Sequence, residues 1–370
     1  MSDARHTDSA GLAVEMRGIY KSFDGTPVLH DVDFDVRAGE VHALVGGNGA
    51  GKTTLMKILQ GVYSLDRGEI RVAGRVVRLA SVLDAKAAGV GMVFQEFSLV
   101  PSLTVAQNVF LNAESRKAGL LVRDKDSVQR AREVFAQMGA DVDPEKTMGE
   151  LGTAYWQLTE IAKALAKDAR VLIMDEPTAS LARHESEALF ELIGRLKDRG
   201  IAIIYISHRM QEIYEIADRI SVLRDGRRLF TERVQDVTPA QVVEGIVGRS
   251  IDGQLSYRGR PVQDDAEPLL SVRSLRARPR LTDVSFEVLA GEIVGLAGLM
   301  GSGRTELAQC LFGVARADGG EVLVRGRKVD VSHPSDAIER GLALIPEDRR
   351  AQGLVLEHSV RDNLLLPLLP

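Results

Sequence analysis

The stretch GGNGAGKTT, residues 46–54, decides how the rest of this chain is read. It has the GxxxxGK[ST] spacing, follows the strand-length apolar run VHALV, and opens a segment, 52–60, whose pattern predicts a helix. Strand, glycine turn and helix in that order form the context a phosphate-binding loop requires. Over Gly46, Gly47, Asn48, Gly49, Ala50 and Gly51, backbone N–H groups can close around a β-phosphate, and the helix N-terminus adds positive potential. Lys52 is placed to reach the β- and γ-oxygens and Thr53 to present its hydroxyl to Mg²⁺, and Thr54 completes the nucleotide-binding stretch.

Working outward, the buried-strand run VLIM (171–174) leads into DEPTAS (175–180). Asp175, at the strand end, suits Mg²⁺ held through water, and Glu176 is placed to orient or deprotonate an attacking water. Taken alone, two adjacent carboxylates are often a solvated turn; beside a phosphate loop that reading weakens. Gln95 in VFQEF and His208 in YISHRM each follow a predicted strand. The amide suits Mg²⁺ and water, while the imidazole can hydrogen-bond a γ-phosphate. Leu189, Ile193 and Leu196, and Val128, Ala131, Phe135 and Met138, recur at helical spacing. With IAIIYIS (201–207) and RISVL (219–223) as strands, the expected class is α/β, a mainly parallel sheet with a helical insertion at about 96–168.

The loop occurs twice. VDFDVRAGEVHALVGGNGAGKTTL starts at Val32 and VSFEVLAGEIVGLAGLMGSGRTEL at Val284, 252 residues later, and the pairs Gly46/Gly298 and Gln95/Glu347 share that offset. The expected organisation is a first domain over 1–250, a polar linker over 251–267, and a partial second copy over 268–370. Parts of the second copy beyond its early helices would, at this offset, carry numbers above 370.

The totals limit the function. A net charge of −5 and 27% charged residues argue against bulk nucleic-acid binding, and no apolar run approaches the length of a membrane span. The start MSDARHTDSAG lacks the apolar core of a signal peptide, so a membrane role is expected to be peripheral. Cys310, the only cysteine, is expected to be a buried helix residue, and Trp156, the only tryptophan, to pack.

GGNGAGKTT, VFQEF, VLIMDEPTAS and YISHRM, in this order, resemble the nucleotide-binding domain of ABC transporters, a P-loop NTPase fold with a helical subdomain. With EIAKALA, ISHRMQEIYEIADRISVLRDGR, GLMGSGRTEL and LIPEDRR, the resemblance narrows to the tandem ATP-binding subunits of bacterial importers for monosaccharides such as ribose, xylose, arabinose and galactose. Related nucleoside importers usually carry a GNGQ-like second loop. The resemblance implies ATP and Mg²⁺ as ligands and ATP hydrolysis as the activity. It also implies a peripheral place at the cytoplasmic face, a dimer of membrane permease subunits as partner, and only indirect dealings with an extracytoplasmic sugar-binding protein. Phe23 matches the aromatic that stacks on adenine, SLAR (180–183) the loop that crosses to a partner domain, and EFSLVPSLTV after Gln95 the surface, with exposed apolar residues, that receives a permease helix.

Departures from the family pattern are confined to one composite site. LGTAY (151–155) stands where the family has an LSGGQ-like signature, so Gly152 replaces its serine and Tyr155 its glutamine. In the second loop Arg304 replaces the lysine, and a planar guanidinium is a poor substitute for a compact ammonium in a tight cradle. Glu347 stands in place of Gln95, and no aromatic replaces Phe23. The family pairs such elements head to tail, implying one competent and one degenerate site. The competent one would need a second signature numbered near 407, so weak hydrolysis by this chain alone is the expectation. Two other readings stay open: a catalytically silent nucleotide-binding scaffold, and a soluble ABC-type ATPase acting on ribosomes or DNA. The latter would call for two intact sites and a basic or coiled-coil insertion.

Overall fold

Two long strands, β1 (Leu12–Phe23) and β2 (Thr26–Arg37), begin the fold as a hairpin. Its tip, Asp24-Gly25, has positive φ at both residues (48° and 79°), the backbone that lets a two-residue turn follow the strand twist. Then come β3 (Val41–Gly46), α1 (Lys52–Leu59), β4 (Arg67–Val72), β5 (Arg75–Val76), α2 (Val82–Ala87), β6 (Val90–Val93) and α3 (Val105–Val109). A two-residue ribbon, β7 (Arg116–Lys117) and β8 (Leu121–Val122), precedes α4 (Asp124–Met138) and α5 (Thr153–Leu165). The first unit closes with β9 (Val171–Asp175), α6 (Arg183–Asp198), β10 (Ala202–Ile206), α7 (Met210–Ile216), β11 (Arg219–Arg224), β12 (Arg227–Arg233) and α8 (Pro239–Val247). This is a computed structural model that describes residues 11–93, 98–111, 116–117, 121–122, 124–179, 181–248, 267–298, 301–346 and 352–366.

Two sheets form the first unit. One is antiparallel, in the order β2-β1-β4-β5; the other runs β12-β11-β3-β10-β9-β6, parallel except at the β12 edge. The central strands are apolar throughout because both faces are covered: β3, β9 and β10 bury nearly every residue. On one face, Leu55, Met56, Ile58 and Leu59 of α1 join Met16, Ile19 and Phe34 of the antiparallel sheet in one core. On the other, Phe135 and Met138 of α4, Ile161 of α5 and Leu189, Ile193 and Leu196 of α6 pack around Leu172, Met174 and Tyr205. The predicted helical spacings are therefore the inward faces of α4 and α6. Trp156 packs against this second core and donates its indole N–H to the Leu151 carbonyl at 3.1 Å.

The chain divides into two units, Met1–Gln254 and Leu255–Pro370. The second is a four-stranded sheet, in the order β14-β13-β15-β16, from β13 (Pro268–Ala277), β14 (Leu281–Leu289), β15 (Gly319–Val324) and β16 (Arg327–Val329). It also carries α9 (Arg304–Leu311), α10 (Pro334–Glu339) and α11 (Val360–Leu365). Shifted by 252 residues, α1, β4 and α2 fall on α9, β15 and α10 at both ends, so the repeat is structural as well as sequential. Cys310 is buried in the small core of this unit.

Two counterparts are missing. Residues 292–298 and 342–346, equivalent to β3 and β6, carry no strand pairing, and Ile293 and Ile345 are 77% and 94% exposed. In the first unit β3 is flanked by β10 and β11, and β6 by β9. No described residue of the second unit supplies those neighbours. A strand holds its place through inter-strand hydrogen bonds, so an apolar run without them stays open however strand-like its sequence.

Candidate nucleotide site

The phosphate loop links the buried strand β3 to α1. Gly51 caps α1 at φ 99°, where an added Cβ would lie 2.6 Å from Leu29 Cδ2, so only glycine lets the hairpin seat against the loop. Asn48 and Gly49 are exposed at the rim, Ala50 is buried beneath, and Thr53 opens to solvent on the first turn of α1. The Lys52 ammonium folds back into the cradle, donating to the carbonyls of Gly46 (2.6 Å) and Gly47 (3.0 Å). Burial lowers its pKa, while the charges of Asp175 and Glu176 act in the opposite direction.

Those carboxylates come from the end of β9. Asp175 lies level with Ile206 of β10, and the Glu176 amide donates to the Ile206 carbonyl at 2.9 Å. Glu176 sits at φ 48°, an uncommon conformation for a residue with a side chain, held here by that bond. Burial raises the Asp175 pKa and the neighbouring Glu176 adds to it; Lys52 and Lys57 pull it back down. His208, just past β10, places Nδ1 3.0 Å from Glu176 Oε1. The imidazole is mostly exposed, its side chain 70% accessible, whereas that of Glu176 is 29% accessible. A cradle, an ammonium, two carboxylates and an imidazole thus meet on one unit; Gln95 lies outside the described residues.

Sequence reasoning missed one residue that organises this arrangement. Glu212, on α7 four residues after His208, is buried and accepts from the hydroxyls of Thr178 (2.7 Å), Tyr205 (2.9 Å) and Ser207 (3.0 Å) and from Arg209 Nη1 (3.1 Å). It ties the turn after Glu176 to the turn carrying His208. Burial and the Glu212 charge push the Tyr205 phenol upward, keeping it a donor. His208 precedes the N-cap of α7, so no helical spacing links it to Glu212 and the sequence carries no signal for this contact. Truncation would strand several buried donors, so Glu212→Ala is expected to lower the stability of the first unit by about 3 kcal/mol. An unchanged urea midpoint for that unit would show that the four bonds do not act as a hub.

Other predicted segments have their places. LGTAY forms the start of α5, with Gly152 as an N-cap that makes no side-chain hydrogen bond and Tyr155 41% exposed, so the helix end offers backbone N–H groups alone. After Gln95 the expectation of an exposed apolar surface needs correction: Phe97 is outside the described residues, Val100 is exposed, but Leu99 and Val105 are buried in the helical core. Asn108 draws them inward by accepting from Val100 N (2.7 Å) and donating to the Val100 and Thr104 carbonyls (both 3.0 Å). Of SLAR, Ser180 lies outside the described residues, Leu181 is buried and Arg183 is exposed.

The second loop keeps the backbone and loses the side chain. Gly301 and Gly303 have φ 81° and 93°, close to 81° and 99° at Gly49 and Gly51, and α9 starts at Arg304 as α1 starts at Lys52. Glu306 stands at the position of Thr54 and pairs with Arg280; its own amide and that guanidinium hold its carboxyl below the usual range. Leu299, Met300 and Glu347 lie outside the described residues.

This fold and this loop define a P-loop ATP-binding cassette. The profile of one family, ABC transporter, matches residues 29–179 and 281–364, and the chain belongs to that family. It is 48% identical over 354 residues to the ribose import ATP-binding protein RbsA 1 of Rubrobacter xylanophilus, covering 95% of this chain and 70% of that one. To the ribose import ATP-binding protein RbsA of Geobacillus kaustophilus it is 45% identical over 358 residues, covering 96% and 72%. Among solved structures, the ADP conformation of the ATP-binding cassette MJ1267 of an ABC transporter superposes with a TM-score of 0.57 at 23% identity, over 64% of this chain and 99% of that one. At that identity the likeness speaks for the fold alone.

Proposed function

We infer that the chain is the ATP-binding and ATP-hydrolysing subunit that energises import of a monosaccharide through a membrane permease. One observation carries the reading: Lys52 in its glycine cradle, the Asp175–Glu176 strand end and His208 converge on a single unit. The chain's similarity to ribose import ATP-binding proteins supplies the direction of transport and the substrate class.

In this reading residues Gly46 to Thr54 hold the triphosphate and Phe23 offers its ring to adenine. Lys52 leaves the carbonyls of its own loop for the β- and γ-oxygens. Glu176 accepts a proton from the water that attacks the γ-phosphorus as the β–γ bridging bond breaks, and His208 holds that carboxylate in place. The residues fit Mg²⁺, which takes few protein ligands and completes its shell with phosphate oxygens and water. Thr53, Asp175 and Gln95 would hold it, and among the described residues no cluster of three acidic, His or Cys groups forms a separate metal cage. The bound ion supplies charge neutralisation on the transferring phosphoryl group.

The partner would be a permease dimer docking at the cytoplasmic face. No described helix is long and apolar enough to cross a membrane. A cavity of about 330 Å³ between the β6 region and α5, lined by Val82, Lys86, Met92, Ser98, Lys163 and others, opens beside the segment that follows Gln95. Glu160 of α5 grips the near wall of this cavity, accepting from Ser98 N (2.5 Å) and Oγ (2.8 Å). A tagged chain recovered from detergent-solubilised membranes of its host is expected to bring polytopic permease subunits with it, and uptake of the transported monosaccharide is expected to stop when Lys52 is replaced. Recovery free of membrane proteins, with uptake unaffected by Lys52→Ala, would reject the reading.

A further inference from the structure

Phe23, the last residue of β1, does not stand alone. Its ring centroid is 5.0 Å from that of Tyr63 at an interplanar angle of 71°, an edge-to-face contact, and Lys57 Nζ lies 5.3 Å from the Tyr63 centroid. Tyr63 is tied to α1, the helix that begins with Lys52, because its amide donates to the Lys57 carbonyl at 3.2 Å. Three residues on, Asp66 accepts from Lys21 Nζ (2.9 Å), Ser22 N (2.7 Å) and Ser22 Oγ (2.7 Å), clamping the end of β1 immediately before Phe23. Those three donors hold the Asp66 carboxyl at about 2, so the clamp stays ionised at any ordinary assay pH. Phe23 remains 37% exposed, an unusual state for a phenylalanine anchored from two sides.

We propose that Tyr63 is a positioning residue for the nucleobase: braced by Lys57 on α1, it fixes the Phe23 ring so that one aromatic surface faces the base of a purine nucleotide whose phosphates lie in the Gly46–Gly51 cradle. The inference rests on the reading of Phe23 as the adenine platform. A phenylalanine ring turning about its two side-chain torsions loses entropy on stacking, and the contacts of Tyr63 and of Lys21, whose Nζ lies 5.3 Å from the Phe23 centroid, remove part of that loss in advance. Since α1 connects both anchor points, base and phosphate ends of the ligand are held in register by one rigid element. The bland alternative is that Tyr63 only fills space at the end of α1.

Affinity for two ligands separates these readings, because inorganic tripolyphosphate uses the cradle but has no base. In the full chain, Tyr63→Leu is expected to weaken ATP binding about 3- to 10-fold while leaving tripolyphosphate binding unchanged, as follows from the usual strength of an aromatic contact. Tyr63→Phe, which keeps the ring, is expected to restore ATP affinity. Equal losses for both ligands, or no loss for either, would overturn the role of Tyr63. Phe23→Ala gives the control: it too should lose affinity for ATP alone, and if it does not, the adenine platform itself is misassigned.

Discussion

Replacing Lys52 by alanine is expected to weaken ATP binding by at least about 100-fold and to abolish hydrolysis, whereas Arg304→Ala is expected to leave most of both. The two residues occupy equivalent places at the start of α1 and α9, each preceded by two glycines, 49 and 51 or 301 and 303, with nearly the same φ. Lys52 is partly buried against the opposing charges of Asp175 and Glu176, whereas Arg304 is exposed. Loss of the ammonium has a second consequence of the same sign. Lys52 is one of the charges that hold the Asp175 carboxyl down against burial, so removing it also takes an opposite charge from beside the residue proposed to hold Mg²⁺. Equal losses in the two variants, measured by fluorescent-nucleotide titration and phosphate release in permease-containing membranes, would remove the asymmetry between the units.

The parts of this site that were legible in the sequence are those whose physics is local. GGNGAGKTT needs only its own spacing, a strand before and a helix after, and all three are within reach of a single stretch of chain. Strands β9 and β10 were legible because burial on both faces leaves continuous apolar runs, and α4 and α6 because one buried face leaves a 3.6-residue period. Glu212 was not legible: in EIYEIADRI it reads as one more polar residue on an amphipathic helix. Its partners Thr178 and Tyr205 come from other strands and turns, the farther one 34 positions away, and only the folded sheet brings them together. Tyr63 was overlooked for a similar reason, since an aromatic just past a helix gives no sign of the hairpin tip it braces.

The second unit marks the same limit from the opposite side. EIVGLAG reads as a strand as clearly as EVHALVG does, yet only the latter is one. Helices α9 and α10 form in both contexts because their hydrogen bonds close within the segment. The small antiparallel sheet also forms, because all four of its strands, including the distant partners β13 and β15, lie within the unit. A central parallel strand depends on neighbours many residues away, so sequence similarity transfers the loop and its helix but does not transfer the sheet.

Glu176→Gln is the second large effect, and it separates chemistry from binding. Hydrolysis in permease-containing membranes is expected to fall about 10²- to 10⁴-fold, the range for loss of a general base, with ATP affinity changed little. The substitution is nearly isosteric: an amide oxygen can still accept from His208 Nδ1, now 3.0 Å from Glu176 Oε1, and the amide N–H to Ile206 that holds φ at 48° is untouched. What the amide cannot do is take a proton from water. If Glu176 only positioned its surroundings, the glutamine would serve nearly as well and hydrolysis would stay within about tenfold of the original. His208→Ala is expected to cost less, because it removes the support and leaves the base. On the proposal that His208 acts through Glu176, adding His208→Ala to Glu176→Gln should reduce the rate little further, and losses that multiply would mean that the imidazole acts on the phosphate by a separate route.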